Sequence, residues 1–379
     1  MNLPHQRSGL RESNPAKAHG LLAGLHLDLP LLTGVILLCG FGLVVLFSAS
    51  NQDLGQIQRQ LVRLGLAFGF MITLAQIRPD TLRRWSPWLF AAALLMLAAV
   101  LAVGAIGKGA QRWLDLGLFR FQPSELMKIA MPMMIAGFLA EKRLPPSWQR
   151  LGTAGLMIAV PVVMIARQPD LGTSLLVASA GIFVLFLAGL SWRFIGGMLL
   201  TAIPSAWVLW RWGMHDYQRD RVITFLNPES DPLGTGYHII QSKIAIGSGG
   251  LYGKGWLNGT QSHLEFLPER TTDFIFAVLS EEFGFAGVAL LIVLYLFIIL
   301  RGLYIAANAQ DTYGRLLGGA LTLVFFVYLF VNTGMVSGIL PVVGVPLPLI
   351  SYGGTSLVTI MAGFGILMSI QTHRKLLPT

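Results

Sequence analysis

Runs of about twenty apolar residues, separated by short polar stretches, recur along this chain. Ten of them are read at 30–48, 61–77, 86–106, 123–139, 151–166, 171–189, 192–210, 283–300, 316–336 and 347–370. A helix of about 20 residues crosses the hydrocarbon core of a bilayer. Every backbone polar group must be paired inside lipid, and unbroken apolar runs achieve this as helices. A transmembrane barrel would alternate apolar and polar positions, and these runs do not. The pattern predicts an all-α polytopic membrane protein. It has about ten transmembrane helices and one long polar loop, about 211–282, between the seventh and the eighth. Residues 1–29 read as a polar, basic N-terminal tail and not a cleaved signal, because no apolar core lies near the start. Residues 30–371 form one membrane domain, and 372–379 a short C-terminal tail.

Composition supports this reading. Hydrophobic residues make up 54% of the chain and charged residues 12%, against about 25% charged in soluble domains. Placing the N-terminus in the cytoplasm puts 14 of the 27 Lys and Arg on cytoplasmic segments and five on the short external loops, as the positive-inside rule expects. The long loop is then extracytoplasmic, both termini are cytoplasmic, and the expected location is the bacterial inner membrane. The net charge of +9 is spread over loops on both faces and forms no single stripe, which excludes a nucleic-acid partner; it fits contact with anionic membrane lipid. Cys39, the sole cysteine, cannot form an intrachain disulfide.

Ionisable residues inside a membrane are costly and tend to mark function. Arg63 falls at the start of the second run. Glu125 and Lys128, in QPSELMKIA, stand three apart and therefore share a helix face. Their spacing leaves two readings open: a self-neutralising pair that lets the span insert, or the polar floor of a cavity. Pro123 suits the first turn of that helix. Arg167 and Asp170 flank the turn ARQPDLGT, where Asp170 reads as a loop pair or helix cap. Nine of the 18 acidic residues lie between Arg211 and Glu282. Among them Asp273, Glu281 and Glu282 surround the eighth run in TDFIFAVLSEE, a segment too short to span alone. It is either an extension of that span or a short interfacial helix, and Thr272 or Asp273 could cap it.

Several motifs fail on inspection. GLYGKG has Ser248 where a phosphate loop needs its first glycine and Gly255 where it needs Ser or Thr. Its glycines read as turn residues at positive φ. His215, His238 and His263 lack metal-site spacing. Asn258-Gly259-Thr260 is only a three-residue sequon. No metal-ligand set is identifiable.

Six motifs in order match something known: KGAQRWLDLG (108–117), FQPSELMKI (121–129), QPDLGTS (168–174), RVITFLNPESDPLGTGYHIIQSKIAIGSGGLYGKG (221–255), FLPERTTDFIFAVLSEEFG (266–284) and LPVVGVPLPLISYGGTS (340–356). Across about 30–372 the chain resembles the SEDS family (shape, elongation, division, sporulation) of peptidoglycan polymerases. Arg270, the HLEFLPER string and the lack of an extended N-terminal domain resemble its elongation type; Thr271 stands where relatives carry His. The resemblance implies a glycosyltransferase that polymerises lipid II, working with a class B penicillin-binding protein and other elongation-complex proteins. It also implies that Asp273 is catalytic and that Glu125, Lys128 and Asp170 line the same cavity.

The implied reaction joins an acceptor GlcNAc hydroxyl to C1 of donor MurNAc and expels pyrophosphate, an inverting displacement. It needs a base for the hydroxyl proton, assigned to Asp273. It also needs cations for the leaving group, with Arg221, Arg270 and Lys128 as candidates. A divalent cation, Mg or Mn, bridging pyrophosphate is compatible with the external acids. Two rival readings are a lipid II flippase and a non-catalytic scaffold of the elongation complex. Against the flippase, no inverted repeat with paired broken helices is visible. A mutant at Asp273 that binds partner but makes no glycan would separate enzyme from scaffold.

Overall fold

The computed structural model describes residues 25–373 apart from 108–109, 116–119, 191–195, 198–199, 202–203, 205–206, 214–215, 232–233 and 264–268. Its long helices are α1 (Leu29–Ala49), α2 (Leu54–Gln76), α3 (Pro79–Val103), α4 (Pro123–Leu139), α5 (Trp148–Ala166) and α6 (Leu171–Leu187). After the polar region come α7 (Asp216–Leu226) and α8 (Thr235–Ser248), then α9 (Ile275–Ala307), α10 (Thr312–Val336) and α11 (Thr355–Thr372). Six of them (α1, α3, α5, α9, α10 and α11) are long and apolar enough to cross a membrane, and α6 is a shorter apolar helix. Most of the expected span 192–210 lies outside the described residues, as do 1–24 and 374–379 of the two tails.

Local chemistry explains where these helices start. Asp28, Asp53, Asp170 and Asp311 cap α1, α2, α6 and α10 by accepting first-turn amides. Prolines occupy the first turns of α1, α3 and α4, where the missing N–H has no partner to lose. Hydropathy marks only the apolar stretch of a helix, so α2 starts seven residues before the expected 61 and α3 at Pro79 instead of 86. Arg63 therefore lies within α2, not at its start.

The last span differs in the other direction. Residues 347–354 are not helical, and α11 begins at Thr355. Pro346 and Pro348 hold the residues before them away from helical geometry. Gly353 and Gly354 consequently precede the helix.

The stretch TDFIFAVLSEE resolves into a buried short helix, 275–283, separated from the rest of α9 by Gly284 at φ 61°, ψ −160°. A Cβ at Gly284 would collide with the backbone of the glycine-rich loop 249–255, so only glycine permits this contact. Two pairs of backbone bonds join the loop and the break: Lys254 and Gly255 donate to Glu281 and Glu282, each at 3.0 Å, while Phe285 and Ala286 donate to Gly250 and Leu251 at 2.9 and 3.0 Å. Gly250, Gly253 and Gly255 all have positive φ, so GLYGKG does the work of a turn.

The described strands were not visible in the hydropathy pattern: β1 (Ala105–Gly107), β2 (Ala110–Asp115) and β3 (Arg120–Phe121) form a small antiparallel sheet in the order β1-β2-β3. They follow α3 and precede α4. In the bundle, α10 is the central element, packing against α4, α6, α9 and α11, while α1 lies on α9 and α2 on α11. Its facing positions are filled by large buried side chains such as Tyr313, Leu317 and Tyr328. The outward faces of α1, α3, α5 and α9 expose leucine, valine, phenylalanine and tryptophan, the surface a lipid environment requires.

Candidate active site

Asp273 is half-buried in a turn, 269–274, that precedes α9. It is not the N-cap of that helix: Phe274 occupies that position and makes no side-chain cap bond. Thr272 is not the cap either, since its hydroxyl donates to Glu269 Oε2 at 2.7 Å. Asp273 therefore sits one residue before the N-cap of that helix. Its Oδ2 lies 3.5 Å from where a Cβ of Gly344 would stand, and Gly344 has φ 74°. The loop 340–352 thus passes directly beside the carboxylate.

Glu125 and Lys128 form an ion pair at 2.8 Å on α4, with side chains only 7% and 5% exposed. Burial at this level requires pairing, since an isolated charge in low dielectric is prohibitively costly. Lys128 also sits 5.2 Å from the ring centroid of Tyr328 on α10. It borders a small recess that is otherwise lined mostly by apolar side chains of α10 and α11. Asn332, one turn beyond Tyr328, donates its side-chain amide to the Asp273 carbonyl at 2.9 Å. Residues four apart share a helix face. One side of α10 therefore gathers both the Glu125–Lys128 pair and the Asp273 turn.

Asp170 joins the same region from α6. It caps that helix through Thr173 N at 3.3 Å, so the helix-cap reading of its sequence holds. Its charge partner is Arg112 of β2, 3.8 Å away, and not its near neighbour Arg167. Arg112 also donates to the Pro169 carbonyl. Gln122, just before α4, donates to Asp170 Oδ2 at 3.0 Å. Two residues beyond Asp170, a Cβ on Gly172 would stand 2.7 Å from Val343 O, so the start of α6 rests on the 340–352 loop that borders Asp273.

Arg270 is half-buried in the Asp273 turn. Arg221 lies on α7, and its side chain lies outside the described residues. Glu281 and Glu282 are fully buried and serve the fold. Glu281 accepts from Lys254 Nζ at 2.7 Å and from Gln261 N at 3.0 Å, and Glu282 accepts from the Ser48 hydroxyl. Near the turn, the His238 ring lies 5.6 Å from that of Phe274. Burial lowers the His238 pKa below its ordinary value, against the opposing pull of Glu269 and Asp231. Among the described residues no group of three or more His, Cys, Asp or Glu is placed to hold a metal ion.

Sequence reasoning missed Arg112, Gln122, Asn332, Ser351 and Gly344. All but Asn332 lie in quoted motifs, but they offer no spacing signal. Asn332, a polar residue within a long apolar run, was the one detectable clue.

Residues 29–376 match the family described as FtsW/RodA/SpoVE, cell cycle protein. The chain belongs to this family. It is 58% identical over 353 residues to the peptidoglycan glycosyltransferase MrdB of Escherichia coli K12, covering 93% of this chain and 95% of that protein. Identity to the peptidoglycan glycosyltransferase RodA of Treponema pallidum is 32% over 423 residues, covering 92% and 98%. Among solved structures, one concerns the structural coordination of polymerization and crosslinking by a peptidoglycan synthase complex; it superposes with TM-score 0.80 at 33% identity, over 92% of this chain and 99% of that one. The rod shape determining protein RodA of Thermus thermophilus superposes with TM-score 0.70 at 29% identity, over 92% and 98%. The multi-pass helical fold expected from sequence is the fold of this FtsW/RodA/SpoVE family.

Proposed function

We propose that this chain is a membrane-embedded peptidoglycan glycosyltransferase that polymerises lipid II into β-1,4 glycan strands during cell elongation. The observation that carries the reading is the gathering of Asp273, the Glu125–Lys128 pair and Asp170 around α10 and the 340–352 loop. It occurs in a chain 58% identical to a peptidoglycan glycosyltransferase over 93% of its length.

In this mechanism Asp273 accepts the proton of the acceptor GlcNAc 4-hydroxyl as its oxygen attacks C1 of donor MurNAc. The C1–O bond to pyrophosphate breaks, and the α-linked donor becomes a β-linked product in one inverting step. General-base help of this kind contributes about 10²–10⁴-fold. Arg270 and Arg221 meet the departing pyrophosphate, for which a planar guanidinium is well shaped. Lys128, already neutralised by Glu125, holds a polar floor beneath the sugars. Arg112 and Gln122 fix the direction of Asp170 on the opposite wall. The lipid tails of both substrates stay among the apolar faces of the spans.

The long loop 211–282 faces the extracytoplasmic side of the inner membrane, with both termini in the cytoplasm. A class B penicillin-binding protein docks on the outer faces of α9 and α10 and on this loop, and shifts the loop toward its active conformation. A neighbouring fold taken from a peptidoglycan synthase complex supports such an assembly.

The test is polymerisation of fluorescent lipid II by the purified protein, alone and with its class B partner, with a transglycosylase-blocking antibiotic present to silence contaminants. The expected result is a ladder of glycan products that disappears with Asp273→Ala while partner binding persists. A ladder that survives Asp273→Ala would overturn the base assignment. No ladder with any protein would overturn the enzyme reading.

A further inference from the structure

Thr271, Thr272 and Asp273 present three consecutive carbonyl oxygens, and each is taken by a donor from the far end of the chain. Tyr352 N donates to Thr271 O at 2.8 Å. The Ser351 hydroxyl donates to Thr272 O at 2.6 Å. The Asn332 amide donates to Asp273 O at 2.9 Å and gives its other hydrogen to Val345 O at 2.8 Å. Both Asn332 contacts are main-chain carbonyls, which can only accept, so the amide nitrogen must face them.

Holding two adjacent carbonyls has a direct geometric consequence. Peptide groups are planar. The Thr272 carbonyl fixes the plane before the Asp273 Cα, and the Asp273 carbonyl fixes the plane after it. With both planes fixed, the Cα–Cβ direction of Asp273 is fixed as well. Inside the turn, Thr272 N and Phe274 N both donate to Glu269 O at 3.1 Å, which closes the turn but does not aim the side chain.

Asn332 is an expensive way to fill space. It is fully buried, and among the described residues its Oδ1 has no hydrogen-bond partner. An unsatisfied buried oxygen is unfavourable; a leucine of similar size would remove it, but would take the donor from the Asp273 and Val345 carbonyls. The benefit must lie in what its two N–H groups hold together: the Asp273 peptide and the loop that passes beside its carboxylate at Gly344.

We propose that Asn332, assisted by Ser351, is a positioning residue that sets the direction of the Asp273 carboxylate toward the acceptor hydroxyl. The proposal rests on Asp273 being the base of the polymerase reaction. A carboxylate misdirected by about 1 Å costs about 10²-fold in rate, while substrate binding, made by other groups, is little affected.

The experiment compares wild type, Asn332→Leu, Ser351→Ala and Asp273→Asn as full-length proteins with the class B partner, using lipid II polymerisation at saturating and limiting substrate. Asn332→Leu is expected to lower kcat by about 10–100-fold with KM within about threefold, the pattern of a lost transition-state interaction. Ser351→Ala is expected to give a smaller loss of the same kind. Melting temperature in detergent monitors folding. A folded Asn332→Leu protein with unchanged kcat, or with raised KM and unchanged kcat, would overturn the proposal. If that variant does not fold, Ser351→Ala decides, and an unchanged kcat there overturns it. Wild-type polymerisation by Asp273→Asn would instead refute the base assignment beneath it.

Discussion

At the residue scale, the glycines of this chain separate by what stands where a side chain would go. Gly253 has φ 79°, and a Cβ there would collide with the Glu282 carbonyl. Gly253→Ala is expected to cost at least about 1–2 kcal/mol from its left-handed backbone alone, read as a lower melting temperature in detergent. Gly247 has nothing near it, so Gly247→Ala in α8 should be neutral or slightly stabilising by helix propensity. An equal loss at both positions would contradict the turn assignment of GLYGKG. The glycine content was visible in the sequence, and so was the expectation of positive φ. The partner backbone at 281–286 was not, because nothing in local spacing identifies a contact made across thirty residues.

The element scale concerns how α4 carries two charges into the bundle. Spacing left two meanings for Glu125 and Lys128: aid to insertion, or a floor for chemistry. The structure supplies a buried pair at 2.8 Å, which serves either. Lys128→Met should strand a buried carboxylate and cost about 3–5 kcal/mol. The double change Glu125→Gln with Lys128→Met should recover most of that stability. The two readings part in the polymerisation assay. A stable double variant without glycan products shows that the charges serve the reaction, and one with wild-type activity shows that they only permit insertion. Element boundaries were partly readable too. Pro123 and Asp170 announced the starts of α4 and α6, yet the start of α11 was misplaced because apolar residues 347–350 look like membrane span. Pro346 and Pro348, with Tyr295 donating to the Pro348 carbonyl at 2.5 Å, keep that stretch as a loop.

For the whole molecule, orientation and pH response can be tested together with the fold. Cys39 is buried, so single-cysteine labelling needs no background removal. A membrane-impermeant maleimide should label Tyr252→Cys, at a position 85% exposed, in intact spheroplasts, and Lys142→Cys only after permeabilisation; the reverse pattern would invert the proposed topology. The ring of His373 stacks on that of His26, with centroids 4.1 Å apart. Burial, with His26 and Arg78 nearby, lowers the His373 pKa, as burial lowers that of His238. A depressed histidine is neutral when folded and takes up its proton more readily when unfolded. Stability from both groups is therefore full above their ordinary value near 6.5 and declines as pH falls through it. The melting temperature should drop between pH 7.5 and 5, and His373→Asn should shrink the drop. By itself the sequence determined the helical membrane class, the approximate positions of most described long helices, the cap at Asp170, and the motifs that hold Asp273, Glu125 and Lys128, because hydropathy, capping and motif order are local properties. Only the tertiary structure decided that Arg112 and not Arg167 faces Asp170, that α9 breaks at Gly284, and that Asn332 and Ser351 hold the carbonyls flanking Asp273. Those contacts join residues from 31 to 79 positions apart, and their geometry exists only once the helices have packed around α10.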